Sequence, residues 1–336
     1  METKLITIKE YIALLKNSNE GHITMYHESL WLEVISNSFN SELMIAVTLD
    51  DKGQILALTP YMNLKKGLFS LIGSPLSGLY TELTGPIFKE GSTEKEIEVI
   101  LSQINFLKTR AQYIEISIPN NVVLTEEDCK KNSLRQEIHK SISINLKKEK
   151  EDIWNDFEGR ARNMIRKSEK NHVSVSEVIP TIEWMEKYYL MLNHTFSSQK
   201  KVTPHPFIFF KELIKLHSQG KVICFSAFKE GINIANAIFL NDRSRLLYLS
   251  GTSNQEGMKT AANSLIQWQA IQSAIDIGVQ EYDMGGLGIG SIDKFKRSFG
   301  GEEIQRRRLV YRSTIFSLLE PLARWAREKG IISVSN

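Results

Sequence analysis

Five basic side chains lie within one short segment, GRARNMIRKSEK (159–170), and their types suit them to binding phosphate. On a helix, residues four apart are neighbours, so Arg162 shares a face with Arg166, and Arg166 shares one with Lys170. Arginine grips phosphate bidentately, which predicts a site for a phosphate-bearing ligand. A solvated helix face is the alternative interpretation. The five cations are Arg160, Arg162, Arg166, Lys167 and Lys170.

A second candidate is the predicted strand end Tyr-Asp-Met-Gly-Gly at 282–286. Gly285 and Gly286 have no side chains, so the backbone there can lie close to a ligand or to a neighbouring chain. Asp283, at a buried strand end, can hold a backbone amide or a basic residue. Both this anchoring role and a catalytic role are open for Asp283.

Several other kinds of chemistry are not expected. Cys129 and Cys224 are far apart and have no Cys or His partners at ligand spacing, so neither a disulfide nor a metal site is predicted. No Ser/His/Asp or Cys/His arrangement is visible, so a covalent intermediate on the protein is not expected. The first twenty residues lack an export signal, and the apolar runs are shorter than the ~18–20 residues of a membrane span. We therefore expect a soluble, cytoplasmic protein with no membrane span.

The length of the chain indicates how many domains position these residues, and its net charge limits the kinds of partner it can have. The chain has 336 residues, which is long for one core and comfortable for two. Its formal net charge is +3. This excess is too small to indicate nucleic-acid or membrane binding by itself, so any basic partner site must be local.

An internal repeat indicates how the two domains are built. Residues 44–75 align without gaps on 222–253, and Gly53 meets Gly231. Each copy shows strand, turn, strand, turn, strand, because β-branched and aromatic residues fill the runs and glycine occupies the turns. The repeat therefore predicts a three-stranded antiparallel meander in each domain.

The repeat extends on both sides of the meanders. A predicted helix precedes each one, and a helix and a strand follow it. The expected fold class is α/β (α+β), with domains 1–145 and 146–336, each a mixed, largely antiparallel sheet flanked by helices. The paired segments are 31–39 with 188–196, 94–109 with 264–277, and 113–118 with 281–286.

This element order resembles the GNAT acyltransferase fold, and the second copy resembles one family more closely. Segments 248–288 and 292–301 (IDKFKRSFGG), together with 161–175, resemble the FemAB/FemX family. Those are tandem-GNAT enzymes that add amino acids to cell-wall precursors. The resemblance implies transfer of an aminoacyl group from aminoacyl-tRNA to an amine of a nucleotide- or lipid-linked envelope precursor such as that of peptidoglycan. It implies no cofactor beyond this co-substrate.

The resemblance also assigns roles to residues. It places Phe295 and Lys296 at the reaction centre, where the lysine stabilises the developing oxyanion, with Asp283 as a further catalytic candidate. Lys294 and Arg297 compete with Lys296 for this role. Residues matched to substrate contacts are Tyr248, Ser250, Asn254, Gly285 and Gly286, with Lys200, Lys201 and His205 as weaker acceptor contacts.

Two departures from the family pattern leave alternatives open. The loop 253–265 lacks the Q/R-x-x-G-x-G/A spacing that holds coenzyme A, and it is alternatively a surface loop capping a helix through Asn263. Ser250 replaces a family tyrosine, and Glu33 or Val34 replaces a lysine, which puts the muramyl-pentapeptide acceptor in question. The alternatives are an acyl-CoA-dependent GNAT enzyme acting on a sugar amine in polysaccharide biosynthesis and a non-catalytic binding module.

Overall fold

The chain forms two compact units that the linear sequence does not separate cleanly. The structure is a computed structural model and describes residues 1–16, 23–89, 95–198 and 200–328. Unit 1 comprises Met1–Ile138 and the segment from Arg306 onward, and unit 2 comprises His139–Gln305. Across the described ranges, no helix combines the length and the apolar character needed to cross a membrane.

Unit 1 is built around a mixed sheet with helices packed on it. Its elements are β1 (Glu2–Ile6), α1 (Ile8–Leu15), a 3-10 turn (Met25–His27), α2 (Ser29–Phe39), β2 (Glu42–Leu49), β3 (Ile55–Lys66), β4 (Phe69–Ser74), β5 (Ile87–Phe88), α3 (Glu96–Lys108), β6 (Tyr113–Ile118), α4 (Glu126–Lys131), the start of β7 (Leu134–Asn145), the end of β13 (Glu302–Arg312) and α12 (Thr314–Glu328).

The sheet of unit 1 has the strand order β1-β2-β3-β4-β6-β13, and β5 pairs with β3. Strands β2, β3 and β4 are antiparallel neighbours, whereas β4 and β6 run parallel. Ile100, Ile104 and Leu107 lie on one side of α3 at helical spacing, and they are buried with Ile114 and Ile116 of β6. This core fixes α3 on the sheet.

Unit 2 repeats the plan. Its elements are the end of β7, α5 (Lys150–Asp156), α6 (Gly159–Lys170), β8 (Ser174–Glu177), α7 (Ile182–Ser198), α8 (Phe207–His217), β9 (Val222–Lys229), β10 (Ile232–Asp242), β11 (Arg245–Ser253), α9 (Gln255–Thr260), α10 (Ala262–Asp276), β12 (Glu281–Gly286), α11 (Gly290–Arg297) and the start of β13. The strand order is β7-β12-β11-β10-β9-β8, and β11 runs parallel to β12.

The predicted repeat and fold class are confirmed. Strands β2, β3 and β4 correspond to β9, β10 and β11, and each set is an antiparallel meander followed by a helix and a parallel strand. Gly53 and Gly231 occupy equivalent turns with φ of 78° and 77°. Glycine adopts this left-handed conformation without strain, so the two turns keep the same residue.

The division into units differs from the predicted boundary at 145/146. β7 follows β6 in the sequence, yet its residues 141–145 pair with β12. The later strand β13 pairs with β6, with Arg312 opposite Tyr113. Strand edges carry unpaired backbone groups that any suitable strand can satisfy, so chain order does not decide the partner. The two units therefore exchange their final strands.

Candidate active site

The most distinctive feature of unit 2 is a place where two parallel strands separate. β11 pairs with β12 only from Arg245 to Leu247, although both strands continue, to Ser253 and Gly286. The register of β11 with β10 shifts at the same point, which leaves Leu249 as an extra residue. Such a bulge bends a strand and interrupts its ladder. Beyond Leu247, β11 and β12 are no longer paired with each other.

Tyr248 and Ser250, two of the predicted substrate contacts, lie on this separated part of β11. The Tyr248 ring packs on Phe239 with centroids 5.5 Å apart. A Cβ added to Gly251 would lie 2.3 Å from the Tyr248 hydroxyl oxygen, so glycine is what admits this hydroxyl. Ser250 is half-buried and pairs through its backbone with Ile238.

The segment after β11 is helical, which corrects the predicted surface loop capped by Asn263. Asn254 caps α9 instead, because its Oδ1 accepts a 2.9 Å hydrogen bond from the Gly257 N–H. Ala261, with φ of 59°, links α9 to α10. A Cβ on Gly257 would lie 2.3 Å from the Ile234 carbonyl oxygen, so glycine allows α9 to pack directly on β10.

Asp283 anchors the end of β12. Its carboxylate is fully buried, and Oδ1 accepts a 2.8 Å hydrogen bond from the Gly285 N–H. The Arg245 guanidinium lies 3.8 Å from Oδ2 and also pairs with Asp242 at 3.1 Å. Gly285 has φ of 76° at a register shift between β12 and β7. Asp283 thus holds both a backbone amide and a basic residue, which suits a positioning role.

Lys296 reaches the end of the same strand from α11. Its side chain is only 8 % exposed, and Nζ donates a 2.6 Å hydrogen bond to the Gly286 carbonyl oxygen. A Cβ on Gly286 would meet nothing within 4 Å, so open space adjoins this point. Asp293 accepts hydrogen bonds from the Gly288 and Ile289 amides, which fixes the loop leading into α11. The ammonium is therefore held where β12 ends beside the separated strands.

The other members of the Lys-Phe-Lys-Arg run point elsewhere. Phe295 packs into the core of unit 2, with its ring centroid 5.2 Å from that of Phe299. Lys294 is exposed, and Arg297 pairs with Glu303 on the surface at 2.6 Å. Lys296 is the cation of this run that faces inward, while Phe295 supports the helix that carries it.

The basic segment 159–170 is the predicted helix α6, but its arginines have different surroundings. Arg162 donates to the carbonyl oxygens of Trp154, Asn155 and Phe157, the last at 2.6 Å. These carbonyls lie at the C-terminal end of α5, where the i+4 amides of a continuing helix are missing. Arg162 therefore joins α5 to α6 and is occupied structurally.

The other predicted phosphate ligands of α6 are exposed. Arg160, Arg166 and Lys167 lie on the surface, as does Lys170. The Arg166 guanidinium lies 5.5 Å from the centroid of the Trp154 ring. Of the cations predicted in this segment, these four remain accessible to a ligand.

Lys200, Lys201 and His205 follow α7. Both lysines are exposed, and His205 is half-buried beside Phe209. Loss of solvent lowers the pKa of His205 to about 4, so the imidazole is neutral near pH 7. Tyr189 donates a 3.0 Å hydrogen bond to the His205 carbonyl oxygen. Of the three predicted acceptor contacts in this segment, His205 therefore contributes no charge near pH 7.

Sequence reasoning did not identify Arg245 as part of the site. It lies at the start of β11, where it connects Asp242 to Asp283. The available signal was an Asp and an Arg three residues apart beside an apolar strand. That pattern is common in surface turns, so it did not indicate a buried network.

Comparisons with known proteins found a matching family model and solved structures of the same fold. The FemAB family matches residues 225–307, which include the separated strands and Lys296. The crystal structure of FemX superposes with a TM-score of 0.67 at 14% identity, covering 95% of this chain and 99% of FemX. No protein of curated function matches the sequence significantly.

Two further solved structures share the fold. A tandem GNAT protein from the clavulanic acid biosynthesis pathway has a TM-score of 0.56 at 7% identity, with 92% of this chain and 98% of that chain covered. The C-terminal domain of a putative lysylphosphatidylglycerol synthetase from Agrobacterium fabrum has a TM-score of 0.53 at 9% identity, with 87% and 90% covered.

The fold is that of a protein built from two GNAT-like units. Within that class, the match over 225–307 confirms the resemblance to the FemAB/FemX-like tandem GNAT proteins.

Proposed function

We propose that this protein transfers an aminoacyl group from aminoacyl-tRNA to an amine of a cell-envelope precursor of the peptidoglycan type, in the cytoplasm. The observation that carries the proposal is the Lys296 ammonium, held on the Gly286 carbonyl oxygen where β11 and β12 have separated. The FemAB match covers this part of the chain.

The chemistry needs a held donor, an unprotonated amine and positive charge near the carbonyl oxygen. The amine nitrogen attacks the ester carbonyl carbon and a C–N bond forms, while the carbonyl electrons move onto oxygen. Lys296 supplies the positive charge beside that oxygen. The electrons then return, the C–O bond to the tRNA ribose breaks, and the amine proton leaves with water or with the released hydroxyl.

The first turn of α9 favours aminoacyl-tRNA over acyl-CoA. GNAT enzymes that use coenzyme A hold its pyrophosphate on amides at a helix N-terminus. Here the Gly257 N–H is taken by Asn254, and α9 has only six residues. Acetyl-CoA transfer to a sugar amine is the alternative that the assay must separate.

The acceptor assignment rests on the similarity to FemX. At the position where family members carry a lysine, Glu33 is exposed and Val34 is fully buried, so neither supplies a cation. An acceptor bound here is therefore recognised through other groups. For this reason the proposal specifies the acceptor as an amine-bearing envelope precursor and no further.

The test is a product assay by mass spectrometry. The protein is incubated with a mixed pool of charged tRNAs or with acetyl-CoA, and with a UDP-linked muropeptide, its lipid-linked form or an amino-sugar nucleotide. The mass of one amino acid added to a muropeptide supports the proposal. Acetylation of the amino sugar from acetyl-CoA, without use of charged tRNA, contradicts it. An absence of transfer to every acceptor favours the non-catalytic alternative.

A further inference from the structure

We infer that the outward face of α6 is an RNA-docking surface that holds the phosphate backbone of the donor tRNA. This inference rests on the proposed function, because it assigns a docking surface to the proposed donor. The surface consists of Arg160, Asn163, Lys167 and Lys170.

The four residues form one stripe. Successive helical residues are 100° apart, so positions 160, 163, 167 and 170 fall within about 80° of arc. All four are exposed. The opposite face carries the buried residues Ala161, Ile165 and Ser168, which pack into unit 2. The stripe therefore points directly away from the body of the unit and spans about 15 Å along the axis.

The charge of this stripe is not used within the protein. Elsewhere in unit 2, surface cations such as Lys148, Lys187 and Lys229 are held in ion pairs between 2.5 and 2.8 Å long. None of the ion pairs among the described residues involves the stripe. Three unneutralised cations on one face complement the charge of a polyanion. When no polyanion is bound, the three cations repel one another.

A phospholipid surface would be matched better by exposed apolar side chains between the cations, and Asn163 occupies that position instead.

The experiment measures binding of unacylated bulk tRNA to the full chain by fluorescence anisotropy across a salt series. The variant is R160Q/K167Q/K170Q, and the matched control is K9Q/K52Q/K130Q, which removes three exposed cations from unit 1. Loss of three phosphate contacts should reduce the magnitude of the slope of log K against log salt by about 2.1–2.7, at roughly 0.7–0.9 per contact. The control should keep the wild-type slope.

An unchanged slope in R160Q/K167Q/K170Q overturns the inference and leaves the proposed donor intact, because aminoacyl transfer is measured separately. Equal losses in the variant and the control also overturn it, since they indicate a response to net charge alone. The inference is also overturned if the variant still binds tRNA but no longer binds phosphatidylglycerol vesicles. Thermal unfolding should be unchanged, because the altered side chains are exposed.

Discussion

The Lys296 ammonium donates a 2.6 Å hydrogen bond to the Gly286 carbonyl oxygen, joining the end of α11 to the end of β12. The two residues are ten positions apart, and a tight loop anchored by Asp293 separates them. A long, flexible side chain is thereby confined to one place. This confinement is what electrostatic catalysis requires, because donors fixed in advance need no reorganisation during reaction.

Lys296→Met should lower the single-turnover rate of aminoacyl transfer by about 10²–10³-fold, the usual cost of removing one oxyanion donor. Methionine has a similar length and stays compatible with the packed site, so circular dichroism and unfolding should change little. The control is Lys294→Met, since Lys294 is exposed two residues away. Equal rates for wild type and Lys296→Met would remove Lys296 from the chemistry.

Asp283→Ala should destabilise the protein by about 3 kcal/mol, because it removes a buried partner of Arg245 and the acceptor for the Gly285 amide. Urea unfolding monitored by circular dichroism measures the effect. Asp276→Ala is the control, because that residue is exposed on α10 and should change stability by less than about 0.5 kcal/mol. A fully stable Asp283→Ala protein with lost activity would instead indicate direct participation in the reaction.

Gly257→Ala should cost about 1–3 kcal/mol, because the new Cβ would meet the Ile234 carbonyl oxygen at 2.3 Å and force α9 from the sheet. The steric loss outweighs the intrinsic gain of about 1 kcal/mol that alanine has over glycine in a helix. Gly159→Ala, with open space around its Cβ position, should show no such loss. Chemical unfolding of both variants checks the prediction, and similar behaviour of the two would refute it.

Stability of unit 1 should fall as the pH drops from about 6.5 to about 4. Burial lowers the pKa of His27 to about 4, and its Nδ1 accepts a 3.1 Å hydrogen bond from the Thr24 amide, which requires the neutral ring. The unfolded chain binds a proton at higher pH than the folded chain, so protonation favours unfolding, by up to about 3 kcal/mol.

Urea unfolding at pH 7 and pH 5 measures this dependence. His27→Gln should make it shallower, while His172→Gln, at an exposed position, should leave it as in wild type. The pKa of His205 is lowered in the same direction, so the comparison between variants carries the test. An unchanged dependence in His27→Gln would show that this ring does not titrate as stated.

Local pattern was sufficient to predict the meanders and most of the helices. Strand alternation and glycine turns act over a few residues, so the equivalence of Gly53 with Gly231 was readable in the chain. Helix α6 was readable in the same way. The role of Arg162 was not, because it depends on the carbonyl groups of a neighbouring helix.

The sequence by itself determined two α/β units and a basic, glycine-rich second copy that resembles FemAB proteins. The tertiary structure alone decided which cation of 294–297 faces inward, and that β7 and β13 are exchanged between the units. Strand partners and side-chain burial depend on residues far apart in the chain. Local propensity carries no information about such pairs, so only the folded arrangement selects them.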